Sequence, residues 1–202
     1  MTTPTQQVVK ELETAFDFFN RRLFDSSLPR CMILLHRHRN VYGYFWPTRW
    51  ENGKDKLHEL SLNPDWLKDR PLKQVLSTLV HEQVHLWQQC FGKPPKNPGH
   101  NKEWADKMES IGLMPSSTGA PEGKRTGRKV SHYILDGGAF DTCCDELLDK
   151  GFQLSAVSWP ADLKKKRTRT KRITYTCPDC ELKVRGVPEL HILCGNCEQV
   201  LS

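Results

Sequence analysis

Apolar side chains recur at helical spacing near the start of the chain. Val8, Val9, Leu12, Phe16, Phe19, Leu23 and Phe24 fall on one side of an amphipathic helix. Residues 31–35 form a short apolar run that suits a strand, and residues 41–46 and 59–62 are two further strand candidates. Helical spacing returns with Leu72, Val75, Leu76, Leu79 and Val80, and Val84 and Leu86 continue it. Asp69 is a candidate N-cap with Pro71 in the first turn, while Gly92 and the pair Pro94-Pro95 end the segment. After a loop rich in Pro and Gly, residues 101–108 read as another helix running up to Gly112. Residues 115–129, rich in Ser, Gly, Pro and Lys, read as an exposed loop able to border a site. His132 and Tyr133 fit a strand, and residues 145–152 fit a short closing helix. Helices with a small sheet between them predict an α+β domain.

The apolar helix between Asp69 and Gly92 carries His81-Glu82-Gln83-Val84-His85, which is His-Glu-x-x-His. Two histidines four apart on a helix project from one face, so both imidazoles can reach one zinc ion. Glu82, beside the first histidine, is placed to act as a general base toward a water. Burying a carboxylate and two histidines without partners would be costly, and a metal removes that cost.

An active zinc site needs a third protein ligand and one open position. The compact metzincin pattern would require Gly at position 88 and His at 91, where this chain has Gln88 and Phe91. His100 and Glu103 are the next candidates, at the mouth of the following helix. Glu103 has a ready alternative role, offsetting the helix dipole from the first turn, and this favours His100.

The blocks 79–85 and 99–104, holding His81-Glu82-x-x-His85 and His100-Asn101-Lys102-Glu103-Trp104, resemble the SprT-like zincin family, which includes the Spartan proteases. The resemblance extends to residues 19–24, Leu28-Pro29, Gly43-Tyr44-Phe45 and residues 111–116, and it covers most of residues 1–140. It implies a minimal zincin-like metallopeptidase domain with His81, His85 and His100 as zinc ligands and Glu82 as the catalytic residue. It further implies a peptidase often dependent on DNA, acting on proteins crosslinked to it, and thus a role in DNA repair. In such enzymes an edge strand pairs with the extended substrate.

A second constellation lies near the C-terminus. Cys177-Pro178-Asp179-Cys180 and Cys194-Gly195-Asn196-Cys197 are two Cys-x-x-Cys pairs. Four thiolates satisfy tetrahedral zinc and leave no open position, so this ion would be structural, in a zinc ribbon. Relatives in the family often carry such a ribbon. Disulfides are the competing reading, disfavoured because no secretion signal opens the chain. Pro178 and Gly195 suit the turns of the two knuckles. Of the remaining cysteines, Cys31 and Cys90 read as buried thiols, and Cys143-Cys144 lack a matching second pair. His132 or Tyr133 could steady an oxyanion, with core packing the plainer role for Tyr133.

Charge changes the picture in the tail. The chain carries +6, of which +5 belongs to residues 164–202. Lys164, Lys165, Lys166, Arg167, Arg169, Lys171 and Arg172 form a run without an acid, which reads as a solvated linker and suits phosphate contacts made without reading sequence. The organisation expected is therefore residues 1–160 as the zincin-like domain, 161–173 as a basic linker and 174–202 as the ribbon. With no apolar run of membrane-spanning length, a cytoplasmic monomer is expected, nucleoid-associated in a bacterium, with a protein substrate, single-stranded or damaged DNA as partner, and two zinc ions. The competing function is a non-catalytic nucleic-acid-binding ribbon protein serving transcription or stress responses. An intact Glu82 argues against it, since docking alone has no use for that carboxyl.

Overall fold

The computed structural model describes residues 2–155 and 172–202, which fall into two compact units. The basic residues Lys164, Lys165, Lys166, Arg167, Arg169 and Lys171 lie outside the described residues, and Arg172 is exposed.

The first unit opens with α1 (Pro4–Leu23), started by a capping box in which Thr3 accepts from the Gln6 backbone and the Gln6 side chain accepts from Thr3 N–H. Its apolar side buries Leu12, Phe16 and Phe19. After α1 the chain reverses through Asp25 and Ser26, both at positive φ. Asn20 closes this turn, donating to the Leu28 carbonyl and accepting from Leu28 N–H, each at 3.1 Å.

Three strands follow: β1 (Met32–Leu35), β2 (Gly43–Asn52) and β3 (Asp55–Leu62). The sheet order is β1-β3-β2, with β1 parallel and β2 antiparallel to β3. The β2–β3 hairpin extends the candidate strands 41–46 and 59–62 toward each other, to Asn52 and Asp55, and turns through Gly53 at φ 63°, while β2 begins at Gly43 and not at 41. Its register slips between Trp46 and Trp50, a bulge held by Thr48 N–H donating to His58 Nδ1 at 3.1 Å.

The buried helix α2 (Leu72–Phe91) then crosses the core. Asp69 does not cap it. Pro71 occupies the N-cap without a side-chain bond, and Arg70 instead braces the first turn by donating to the Gln74 carbonyl and to Thr78 Oγ1. Gln83 Nε2 donates to the Phe16 carbonyl at 3.0 Å and fastens α2 to α1 inside the core. Next come α3 (Lys102–Ser110) and a two-stranded sheet of β4 (Leu113–Ser116) with β5 (Ser131–Ile134). The closing helix α4 (Ala139–Asp149) begins six residues before the helix expected at 145, with Gly138 as its N-cap. It buries Phe140, stacked on Phe19 at 5.5 Å, together with Cys143 and Cys144. Those two thiols are core residues. Cys90, expected to be buried, is exposed on the last turn of α2.

The second unit pairs β6 (Ile173–Thr176) with β7 (Lys183–Gly186). Tyr175 and Leu201 pack with Cys177 and Cys194 in a core too small to fold on apolar burial alone. Among the described residues no helix is long and apolar enough to cross a membrane.

Candidate active site and cysteine cluster

His81 and His85 lie one turn apart on α2, and His100 enters from the loop before α3. One ring nitrogen from each comes within 4.8 Å of the others. Ring centroids stand 5.3 Å apart for His81–His85, 5.4 Å for His81–His100 and 4.9 Å for His85–His100. Trp104, fully buried on α3, forms the plate beneath them at 4.8, 5.2 and 4.2 Å from the three rings. Its Nε1 has no hydrogen-bond partner among the described residues, so packing alone seats the indole.

His100 is held by its neighbours in sequence. Asn101 caps α3 by accepting from Trp104 N–H at 3.0 Å, which fixes where the helix starts and hence where His100 stands. His100 also forms a reciprocal backbone bridge with Gly127, with N–H···O distances of 2.8 and 2.9 Å. The Gly127 carbonyl additionally lies 3.1 Å from His100 Nδ1. A carbonyl can only accept, so Nδ1 carries the proton and Nε2 keeps a lone pair for a metal. Gly127 holds φ at 132°, a conformation that suits glycine. Glu103, the other candidate third ligand, points elsewhere: its carboxylate accepts from Gln88 Nε2 and from Lys93 N–H, both at 2.7 Å.

Burial keeps the imidazoles neutral. It pushes His81 well below its ordinary range, with His132, His85 and His100 adding to the effect. Burial, aided by His100, lowers His85 to about 3, and burial lowers His100 against the opposing Gly127 carbonyl. Neutral imidazoles are the ligand form, so the cluster needs no proton loss before it can take a cation. Burial also pushes the Glu82 carboxyl up to about 8. One of its oxygens lies close to Gly43 on β2, where a Cβ would stand 3.2 Å from Glu82 Oε1 and 2.9 Å from the Ser61 carbonyl. Glycine at 43 lets the strand approach the carboxyl.

These groups open onto a cleft of about 870 Å³. One wall is β2 from Gly43 to Phe45, and another is the end of the loop from Arg128 to Val130 with Ser131 and His132 at the start of β5. The loop following β4 therefore borders the site, as its composition suggested. His132, which the sequence offered beside Tyr133 for an oxyanion, touches His81 Nδ1 with its own Nδ1 at 3.1 Å and Ser77 Oγ with Nε2 at 2.9 Å. Both ring nitrogens are engaged, so neither is free for an oxyanion. Burial, then the charge of Arg70, lowers its pKa to about 3.

In the second unit, one sulfur from each of Cys177, Cys180, Cys194 and Cys197 lies within 4.8 Å of the others. The two knuckles share a design. Glu181 N–H donates to the Cys177 carbonyl and Glu198 N–H to the Cys194 carbonyl, and both glutamates sit in the left-handed region at φ 57° and 56°. Backbone N–H groups of Asn196 and Cys197 stabilise the Cys194 thiolate and lower it to about 7. Contact with Cys180 and burial push Cys197 the other way, up to about 12, and four sulfurs gathered in so small a core suit a closed metal site.

Comparison with known proteins agrees with this architecture. The model of the SprT-like family matches residues 12–126, more than half of the chain. An uncharacterized protein in the mucB 3' region of Salmonella typhimurium is 49% identical over 41 residues, 20% of this chain and 55% of that protein. The chain thus spans about half the length of that curated relative. No solved structure matches the chain. The family match takes in α2, His100 and α3, and the four α-helices among the described residues, with their small sheets, give a metallopeptidase-type α+β fold followed by a ribbon: the chain belongs to the SprT-like family.

Proposed function

We propose that the chain is a zinc-dependent endopeptidase working in association with DNA, on proteins bound or crosslinked to it. The observation that carries this reading is the meeting of three neutral imidazoles and a buried carboxyl beside a sheet edge in one cleft. Three nitrogen donors with a fourth position open fit zinc in a hydrolytic site. Bound there, zinc would supply Lewis acidity, raising the acidity of water and polarising a carbonyl.

The rest falls to the chain's own groups. His81, His85 and His100 hold the ion. Glu82 takes a proton from water and delivers it to the departing amine, and a carboxyl raised to about 8 by burial can hold and release a proton near neutrality. The edge strand β2 offers main-chain N–H and C=O groups to an extended peptide lying in the cleft. Cys177, Cys180, Cys194 and Cys197 hold a structural zinc. Support for DNA comes from the charge excess in residues 164–202 and from the family resemblance.

The test is cleavage of a basic DNA-binding protein with and without single-stranded DNA, beside Glu82→Gln. Fragments that require both DNA and Glu82 are expected. Equal cleavage by Glu82→Gln would overturn the catalytic assignment, and cleavage indifferent to DNA would overturn the DNA requirement.

A further inference from the structure

Hydrogen-bond polarity around the histidine cluster is fixed from its far end. The Gln74 carbonyl lies 2.9 Å from Ser77 Oγ, and a carbonyl only accepts, so the Ser77 hydroxyl donates to it. Having spent its one proton, Ser77 Oγ must accept at its contact with His132 Nε2, 2.9 Å away. His132 therefore carries its proton on Nε2 and presents a bare Nδ1. That Nδ1 lies 3.1 Å from His81 Nδ1, which must then be the donor. His81 consequently keeps a lone pair on Nε2, which leaves that nitrogen for the position it shares with His85 and His100. The direction of three consecutive hydrogen bonds follows from one backbone carbonyl.

We propose that His132 is a positioning residue, holding His81 in the Nδ1–H form and at the ring angle needed to ligate the metal through Nε2. Such partners of metal-bound histidines are usually a carboxylate, a backbone carbonyl or water. Here a neutral imidazole takes that place. His100 is served in the ordinary way by the Gly127 carbonyl. The partner of His81 arrives from β5, 51 residues away in sequence, so β5 and α2 must be docked before the first ligand is set. This inference rests on the proposed zinc site, but its readout does not depend on peptide cleavage.

The experiment measures zinc affinity of the full chain by chelator competition, with the ribbon zinc as an internal control in each sample. His132→Leu should lower affinity at the histidine site by about 10- to 100-fold, the range for losing an outer partner of a ligand. His132→Asn should recover most of it, since Asn Oδ1 can stand where Nδ1 accepted. Ser77→Ala should give a smaller loss of the same sign and covers the case in which His132→Leu does not fold. In the wild type, nitrogen-15 correlation spectra of the imidazoles should show protons on His81 Nδ1 and His132 Nε2. Unchanged affinity in a folded His132→Leu, an Asn variant as weak as Leu, or a proton on His81 Nε2 would each overturn the proposal. A wild type that binds zinc at the histidines but cleaves nothing would overturn the peptidase reading alone. A wild type with only the ribbon zinc would overturn both.

Discussion

Gln88 Nε2 donates to Glu103 Oε2 at 2.7 Å and fastens the last turn of α2 to the first turn of α3. The same amide group donates to Asn101 Oδ1 at 2.7 Å, and Glu103 also receives Lys93 N–H. One carboxylate thus ties together the helix that carries His81 and His85, the loop that leaves it and the helix that follows His100.

Brace and ligand should separate on mutation. Glu103→Ala leaves the Gln88 and Lys93 donors short of a partner and should cost about 1–3 kcal/mol of stability while zinc at the histidine site is retained. His100→Ala should do the reverse, halving the zinc content with a modest change in melting temperature. Metal analysis beside thermal unfolding reads both. Zinc lost with Glu103→Ala and kept with His100→Ala would exchange their roles.

Gly43→Ala should damage turnover without removing metal. The added methyl would lie 3.2 Å from Glu82 Oε1 and 3.1 Å from Thr78 Cγ2, so the carboxyl or the strand must give way. A displacement of this kind can cost about a hundredfold in rate. Steady-state kinetics with zinc analysis checks it, and an unchanged kcat would show that the strand yields freely.

Acid should loosen the seam between α2 and α4. Hydrogen bonds from Lys73 and from Gly137 N–H hold the Asp141 carboxyl below its ordinary value. Its contribution is therefore present above its unfolded pKa near 3.8 and lost as pH falls through the lower folded value. Burial would raise Glu59, but bonds from Tyr44, Ser61 and Trp50 outweigh it and hold it low, so Glu59 adds loss in the same window. Partial burial would lower Lys73, yet its bonds to Asp141 and Asp145 outweigh that and raise it. Its share is complete below about pH 10 and disappears as pH rises beyond. The share of stability carried by Asp141 and Glu59 should fall below about pH 4, on top of the loss that the buried neutral histidines bring from about pH 6.5 downward, and Asp141→Asn should remove part of the slope below pH 4, up to about 1 kcal/mol for a partly exposed pair. An Asp141→Asn profile parallel to wild type would refute the linkage.

Replacing the seven basic residues of 164–172 with alanine should weaken binding to single-stranded DNA and flatten its dependence on salt. If all seven meet phosphates, the slope of log affinity against log salt should shrink by about 5. An unaltered slope would place DNA contacts elsewhere on the chain.

Local spacing makes much of the site legible. The 81–85 motif and the two cysteine pairs are patterns in which neighbours in sequence are neighbours in space, so spacing alone places the helix and the knuckles. His100 needs the resemblance as well, because Glu103 has the same reach along the chain. The contact of His132 with His81 leaves no local signal, since the two lie across the fold and only β5 docking brings them together. Trp104 reads as a helix residue, and nothing in its spacing marks the floor of a metal site. Helix ends are the weakest points. Asp69 looks like a cap, yet Pro71 and the Arg70 side chain start α2, and Cys90 faces outward because the final turn of that helix has left the core.

The Gly127 carbonyl accepts from both the main chain and the ring of His100, and Gly127 N–H donates back to it. The segment that leads into the cleft's border and a candidate metal-binding side chain are therefore joined by three contacts at one residue. The end of the loop at Gly127 cannot swing outward to widen the entrance without first freeing the imidazole. A wider entrance on that side and a fixed imidazole are therefore opposed demands on one glycine.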